Sequence, residues 1–199
     1  TVADAVGNTA TQTARVTVTG VNDAPLIAGL NATRGFLLGG GEQVLDGDVT
    51  VSDAELDAAD NYDGASLTIQ RQGGANVNDT FSGTGSLGNL AASDPIILAP
   101  STTQIGSVTF NSGGTLILTF GTDATAADVD TVLQSITYDN TAAGGGDTVD
   151  LDWIFDDGSG EANSSVTETI QIDLQSAPTV DLDGDDSTAV GNDATATFA

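Results

Sequence analysis

The alternation of apolar and polar residues predicts β-strands along most of the chain. In residues 149–156 the odd positions hold Val149, Leu151, Trp153 and Phe155, whereas aspartate fills three of the four even positions. Successive side chains of a strand point to opposite faces of its sheet, so one face is apolar and the other is acidic. This pattern is typical of a sheet with one solvated face. We predict that Trp153 is a core residue and not an exposed platform for a sugar.

Short segments with the same signature recur between clusters of Gly, Asn and Asp, which are the residues that favour turns. Each segment is rich in β-branched or aromatic residues, which fit a pleated, half-buried surface. The predicted strands comprise 16–18, 49–51, 67–69, 108–110 and 116–120. The chain is therefore predicted to be all-β.

One segment, about 125–136, departs from this pattern and predicts a single short helix. Thr125 can cap its N-terminus, and Asp128 can reach back to the cap and meet the positive end of the helix dipole. The apolar positions follow helical spacing, and they are Val129, Val132, Leu133 and Ile136. Many short strands with Gly-rich turns and one helix indicate an antiparallel β-sandwich of Ig-like or cadherin-like shape.

A degenerate internal repeat predicts tandem modules. The segment Val21–Pro25 recurs in altered form as Leu174–Pro178, about one domain later. On this basis, we expect 1–24 to be the C-terminal strands of a preceding module, 25–177 a complete β-sandwich module and 178–199 the start of a following module. A complete module of about 150 residues is long enough to bury its own core.

The charge balance excludes several partners. The chain has 29 acidic residues against three arginines and a formal net charge of −26. Such a chain is repelled by nucleic acid phosphates and by anionic membranes, so we expect no nucleic acid partner and no direct membrane insertion. Cysteine and histidine do not occur, which rules out disulfides and Cys- or His-based zinc sites but leaves oxygen-ligated metals.

The same composition argues against an enzyme. No histidine is present for general base catalysis, and no cysteine or lysine for nucleophilic catalysis. The serines show no Gly-x-Ser-x-Gly elbow. Paired carboxylates of the glycosidase kind remain, but few aromatic residues lie near them to hold a sugar. We expect a non-catalytic protein.

The segment Val21-Asn22-Asp23-Ala24-Pro25 is similar to the inter-domain junction of cadherin-like repeats and of the repeat arrays in bacterial surface adhesins that type I systems secrete. Further blocks resemble the second half of such a module, namely 106–110, 114–116, 126–129, 136–138 and 153–158. The resemblance implies an extracellular spacer module at the bacterial cell surface, in an adhesin of the RTX type. It also implies Ca²⁺ at junctions with neighbouring modules of the same chain.

The resemblance further implies a set of calcium ligands at the first junction. Calcium takes six to eight oxygen ligands and tolerates irregular geometry. Asn22 and Asp23 are the expected linker ligands, and Glu42 is the expected early glutamate of the next module. Asp156 and Asp157 are the acidic counterparts that the end of a preceding module supplies.

The second junction departs from this pattern, because Gln175-Ser176 replaces Asn-Asp. The expected compensation is an acidic glycine-containing segment just beyond it, with Asp181, Asp183 and Asp185 as ligands. A second acidic group, with Asp46, Asp48 and Asp53, precedes the strand at residue 67. It is either a metal loop or a solvated acidic surface.

Two other functions stay open. The Gly- and Asn-rich stretch 73–100 has few strand signals, so it is either a surface excursion or the loop of an adhesive domain that binds a glycan or protein ligand. The strand edges of the incomplete segment 1–24 could pair with another chain, as in a self-assembling surface-layer or filament subunit.

Overall fold

The computed structural model describes residues 1–16, 20–141 and 145–176. The strands are β1 (Val2–Ala3), β2 (Thr9–Ala10), β3 (Leu26–Ala28), β4 (Thr33–Leu37), β5 (Gln43–Val44), β6 (Thr50–Ser52), β7 (Ser66–Arg71), β8 (Asp79–Gly83), β9 (Pro95–Ile96), β10 (Gly106–Ser112), β11 (Thr115–Phe120), β12 (Ile136–Asn140), β13 (Thr148–Asp156) and β14 (Ser165–Gln175). The helices are α1 (Ala54–Ala59) and α2 (Ala126–Gln134).

A seven-stranded sheet forms the larger layer, in the order β4-β14-β13-β7-β11-β10-β9. Its neighbouring strands are antiparallel, except that β4 joins β14 in parallel. A three-stranded sheet β5-β12-β8 and a two-stranded sheet β3-β6 accompany it, and β1-β2 is a separate hairpin. The prediction of an all-β sandwich is therefore confirmed.

Strand β13 contributes the centre of the core as its alternation predicts. Leu151, Trp153 and Phe155 are fully buried, and Val149 is 4% exposed. The Phe155 ring packs edge-on against Tyr62, with 6.1 Å between the ring centroids. Trp153 is therefore a core residue, and it offers no surface for stacking a sugar.

Helix α2 begins as predicted but is shorter than predicted. The Thr125 hydroxyl accepts the Asp128 N–H at 3.2 Å, and the Asp128 carboxylate accepts the Thr125 N–H at 3.1 Å, which is a capping box. The helix ends at Gln134, and Ile136 is buried as the first residue of β12. A new strand thus replaces the last predicted turn.

Helix α1 was not predicted. It spans six residues, which is too short for an apolar stripe to repeat, and none of its residues is buried. Its N-terminus is held by Asp53, whose carboxylate accepts the backbone N–H groups of Glu55 and Leu56. The acidic run 53–60 therefore contains a helix as well as a loop.

The stretch 73–100 contributes strands and buried side chains to the sandwich, so it is more than a surface excursion. It contains β8 and β9. Its buried side chains are Phe81, Leu87, Leu90 and Ile96. These apolar residues are separated mainly by glycine, serine and alanine, so no regular alternation of apolar and polar residues marks the strands.

The other predicted strands correspond to β6, β7, β10 and β11. Residues 17 and 18 of the first predicted strand, and all of segment 178–199, lie outside the described residues. The division into three modules therefore stays a prediction. Neither helix in the described ranges has the length and apolar character that crossing a bilayer demands.

Candidate metal centre

The segment that precedes β3, which we call the linker, contacts the sandwich through Asn22. Its side-chain amide donates to a carboxylate oxygen of Asp157 at 2.8 Å and to the backbone carbonyl of Asp23 at 3.0 Å. The backbone N–H of Asp23 points to Oε2 of Glu55 at 3.4 Å. An amide of the linker is thus bound to an acidic group 135 residues away in the chain.

Asp157 lies in the turn between β13 and β14, which returns the chain to the end where it enters the sandwich. Its side chain is only 4% exposed. One carboxylate oxygen accepts the Ser159 N–H at 2.6 Å, and the other accepts the Asn22 amide. The turn is close-packed, because a Cβ on Gly158 would lie 2.5 Å from the carbonyl oxygen of Gly64. Asp157 is therefore held in place by the backbone.

A cleft of about 210 Å³ separates the linker from this turn. Its lining comprises Gly20, Val21, Asn22, Glu55, Ser159 and Glu161. Glu55 and Glu161 are exposed, so both can turn into the cleft. We call the surface formed by Asn22, Asp23, Asp53, Glu55, Asp157 and Glu161 the linker-facing end.

Asp53 adds a buried oxygen without a partner to this end. Its Oδ1 accepts the N–H groups of Glu55 and Leu56, both at 3.0 Å. Its Oδ2 has no hydrogen-bond partner, and it is buried, since Asp53 is only 3% exposed. Removing a carboxylate oxygen from water without a donor or a cation is costly. Asp53 therefore has unused capacity for a ligand.

More carboxylates surround the base of α1. Asp57 accepts the Tyr62 hydroxyl at 2.6 Å, and its negative charge is close enough to Asp130 to raise the pKa of that carboxyl. Burial, followed by the hydrogen bond and the charge of Asp57, raises the pKa of Tyr62, and Asp130 and Asp53 add to the rise. Burial also raises the pKa of Asp130, with a further contribution from Asp57. These groups repel one another.

No ion pair among the described residues involves these carboxylates. Among the described residues, the only ion pair joins Arg71 and Asp79, at 2.7 Å. Arg71 ends β7, whereas Asp156, next to Asp157, pairs with Ser66 at the beginning of β7. Arg71 is therefore remote from the linker-facing end.

Asp46 has a structural role, and its hydrogen bonds argue against the prediction that it is a metal ligand. One of its oxygens accepts the Asn31 N–H and side-chain amide, at 2.8 and 2.7 Å. The other accepts the N–H groups of Asp48 and Val49, both at 3.1 Å. Burial alone would raise the pKa of Asp46, but these hydrogen bonds outweigh it and lower the pKa. Both oxygens are saturated by donors, which leaves no lone pair for a cation.

The structure separates Glu42 from the junction where the resemblance placed it. The Thr137 hydroxyl of β12 donates to Glu42 at 3.3 Å, and neighbouring Gln43 pairs with Tyr138. Glu55, which belongs to the second acidic group and was not assigned to the junction, lies next to Asp23 instead. The Asp-Ala-Glu sequence at 53–55 was the available signal, because a capping aspartate brings the next acidic side chain to the same helix end.

The remaining predicted ligands have different positions. Asp156 accepts the Gly158 N–H at 2.9 Å and the Ser164 hydroxyl at 3.2 Å, so it shapes the turn. Asp157 faces the segment that precedes β3, because the β13–β14 hairpin turns at the end where the chain enters the sandwich. Asp48 is exposed. Asp181, Asp183 and Asp185 lie outside the described residues.

The carboxylates of the linker-facing end approach one another without forming a finished metal cage. In the described ranges, no group of three or more acidic side chains is close enough to hold a metal ion as it stands. What the structure brings together is one amide, one backbone-anchored carboxylate, one buried oxygen without a partner and two exposed glutamates. Such a set needs side-chain rotation to complete a coordination shell.

Comparison with known proteins found no family model, no curated protein and no solved structure that matches this chain significantly.

Proposed function

We propose that the chain is a calcium-binding spacer module of a large bacterial surface adhesin, with Ca²⁺ bound at the linker-facing end. The observation that carries this proposal is the 2.8 Å hydrogen bond between the linker amide of Asn22 and the buried carboxylate of Asp157. The positive end of an amide dipole occupies the place next to this carboxylate that a cation would take. A cation there would touch linker and module at once.

The charge distribution supports a cation over any other ligand. The chain has a formal net charge of −26, and an ion that neutralises part of it relieves self-repulsion in the compact state. The buried Oδ2 of Asp53 has no donor, whereas Ca²⁺ would satisfy it. Oxygen is the ligand that calcium prefers, and the described carboxylates and amide supply only oxygen ligands.

Few movements would complete the site. Rotation of the Asn22 amide about its last torsion would exchange its nitrogen for its oxygen, and amide and carboxylate oxygens are both calcium ligands. Glu55 and Glu161 are exposed and need only turn inward. Asp157 would not move, because the Ser159 N–H holds it. Calcium accepts such irregular shells, whereas magnesium demands a near-ideal octahedron.

The consequence for the parent protein is mechanical. An ion bound to the linker and to the sandwich removes the freedom of one module relative to the next. In an array of such modules, calcium outside the cell would stiffen the whole chain, and its loss would leave a flexible string. Extracellular modules bind calcium with dissociation constants of about 10⁻⁴ to 10⁻³ M. The module would thereby hold a functional tip away from the bacterial surface.

Calorimetric titration of the full chain with Ca²⁺ tests the proposal. Glu55→Gln and Asp157→Asn are expected to weaken binding by at least about ten-fold each, because each removes a charged ligand. Glu168→Gln is the matched control, since Glu168 is exposed in the middle of β14. Absence of calcium binding by the unmodified chain, or equal binding by all variants, would refute a site at the linker-facing end.

A further inference from the structure

A polar cavity of about 530 Å³ opens at the other end of the sandwich. Its lining comprises Arg71, Asn76, Asn78, Asn140, Gly146, Asp147, Thr148 and Val149. Asn22 meets Asp157 just beyond the end of β13, whereas Thr148 begins that strand, so roughly 25 Å of strand separates the two sites. The volume falls within the range that small-molecule sites occupy. The proposed calcium function makes no use of this cavity.

The floor of the cavity is a rigid hydrogen-bonded cluster. Arg71 donates from Nε and Nη2 to the two oxygens of Asp79, at 2.9 and 2.7 Å. The Tyr138 hydroxyl and the Asn140 amide both donate to the same carboxylate, each at 2.7 Å. Asp79 thus uses only two of the five N–H donors of the guanidinium. The Arg71 side chain stays 27% exposed, so it displays donors that are fixed in orientation.

One wall of the cavity is equally fixed. The backbone of Asn76 lies against Gly114, where an added Cβ would be 1.9 Å from the Asn76 carbonyl oxygen. The Asn76 side chain accepts the Asn78 N–H at 3.0 Å, and the Asn78 carbonyl accepts the Thr141 N–H at 3.0 Å. The loop is thereby held in position although it carries no regular secondary structure.

Several polar groups at this wall are not used by the protein. Within the described ranges, the side-chain amide of Asn78, the NH₂ group of Asn76 and the hydroxyl of Thr148 have no hydrogen-bond partner. Asn76 and Asn78 are half-buried, so their rotamers are restricted by their surroundings. A concave surface with preorganised and unused donors and acceptors is what a polar ligand requires.

We propose that this cavity binds a neutral saccharide. Amide, hydroxyl and guanidinium groups together offer both donors and acceptors, which match sugar hydroxyls because each hydroxyl donates and accepts. An anionic ligand is disfavoured, since the chain has a formal net charge of −26 and Asp79 already neutralises Arg71. Asp147 also lines the cavity, which adds to the repulsion of anions. The module would then recognise a glycan as well as act as a spacer.

Saturation-transfer-difference NMR on the full chain tests this proposal. The probes are millimolar methyl glycosides of galactose, glucose, mannose, fucose and N-acetylglucosamine, with glucuronate as the anionic comparison. At least one neutral glycoside is expected to receive saturation, and glucuronate is not. Preferred binding of glucuronate, or no binding of any neutral probe, would overturn the proposal.

Substitutions in the cavity lining test whether the saccharide binds there. Asn78→Ala and Thr148→Val are each expected to weaken binding of the neutral probe about five-fold, as the loss of one hydrogen bond predicts. Thr167→Val removes an exposed hydroxyl from β14, far from the cavity lining, and serves as the control for Thr148→Val. Melting temperatures identify any variant that fails to fold. If Asn78→Ala does not fold, the comparison of Thr148→Val with Thr167→Val tests the proposal alone. Equal binding by Thr148→Val and Thr167→Val would contradict the proposal.

The same experiment separates the cavity from the calcium site. Asp157→Asn alters only the linker-facing end, so it is expected to leave saccharide binding unchanged when calcium is present. Loss of saccharide binding in that variant, with the cavity variants unaffected, would place the sugar at the calcium site and refute the cavity proposal.

Discussion

Two acidic regions of the sandwich hold buried aspartates in opposite ways. Asp46 is completely buried, and four N–H donors within its own region saturate its carboxylate. Asp53 is almost as buried, yet one of its oxygens has no donor, and nearby Asp57 and Asp130 add negative charge. The first arrangement is complete as folded, whereas the second lacks a positive partner. Saturation of the carboxylate, more than acidity of the segment, separates a structural aspartate from a candidate ligand.

The largest expected effect is at Asp46. Asp46→Ala leaves buried backbone donors without an acceptor, so we expect a loss of about 3 kcal/mol in the free energy of unfolding. Urea denaturation followed by tryptophan fluorescence measures it through buried Trp153. Asp48→Ala is the control, because that side chain is exposed two residues away. A loss below about 0.5 kcal/mol for Asp46→Ala would contradict the structural role.

The next largest effect is at Asp157. Calcium at a hundred-fold excess over its dissociation constant would stabilise the unmodified chain by about 2.7 kcal/mol per site. Asp157→Asn keeps an acceptor for the Ser159 N–H, so stability without calcium is expected to change little, while the calcium-dependent gain falls sharply. Thermal unfolding of both chains with calcium and with a chelator measures this. An undiminished gain in the variant would exclude Asp157 as a ligand.

Much of the fold could be predicted from the sequence, because it depends on local patterns. Alternation identified β13 with its buried Trp153, and the spacing of Thr125 and Asp128 identified the capping box of α2. Which carboxylates are saturated could not be read in this way. Asp46 and Asp48 occupy similar acidic surroundings in sequence, and only the fold brings Asn31 to Asp46.

The candidate site was predicted in part. Asn22, Asp23 and Asp157 do lie at one end of the sandwich, although their grouping depends on a contact between residues 135 positions apart. Glu55 was not assigned to the junction, because the helix that presents it is only six residues long and leaves no helical pattern in the sequence. Contacts between distant segments decide the site, and a single sequence does not encode them in a local pattern.

A smaller effect concerns acid stability. The hydrogen bonds to Asp46 hold its pKa in the folded chain below the ordinary value of 3.8. The unfolded chain therefore binds a proton first as the pH falls. The stabilisation from Asp46 is complete above about pH 3.8 and is lost as the pH falls through the folded-state pKa. The difference in unfolding free energy between the unmodified chain and Asp46→Asn is expected to shrink in that window, and a constant difference would contradict this linkage.

The smallest expected effect has the opposite sign. Burial and Asp57 raise the pKa of Asp130, so its charge destabilises the folded chain at neutral pH. Asp130→Asn keeps the acceptor for the Val51 N–H and removes this charge. After allowance for solvent screening, we expect a gain of about 0.5 kcal/mol without calcium, measured by urea denaturation. A lower free energy of unfolding in Asp130→Asn would contradict a destabilising charge at this position.

The most direct measurement of the central claim is the melting temperature of the full chain at saturating calcium and in excess chelator. A stabilisation of about 2.7 kcal/mol per site in a module of about 150 residues corresponds to a rise of roughly 5 to 11 °C. The account predicts such a rise with calcium, and a much smaller one with magnesium. An identical melting temperature in calcium and in chelator would contradict a calcium site at the linker-facing end.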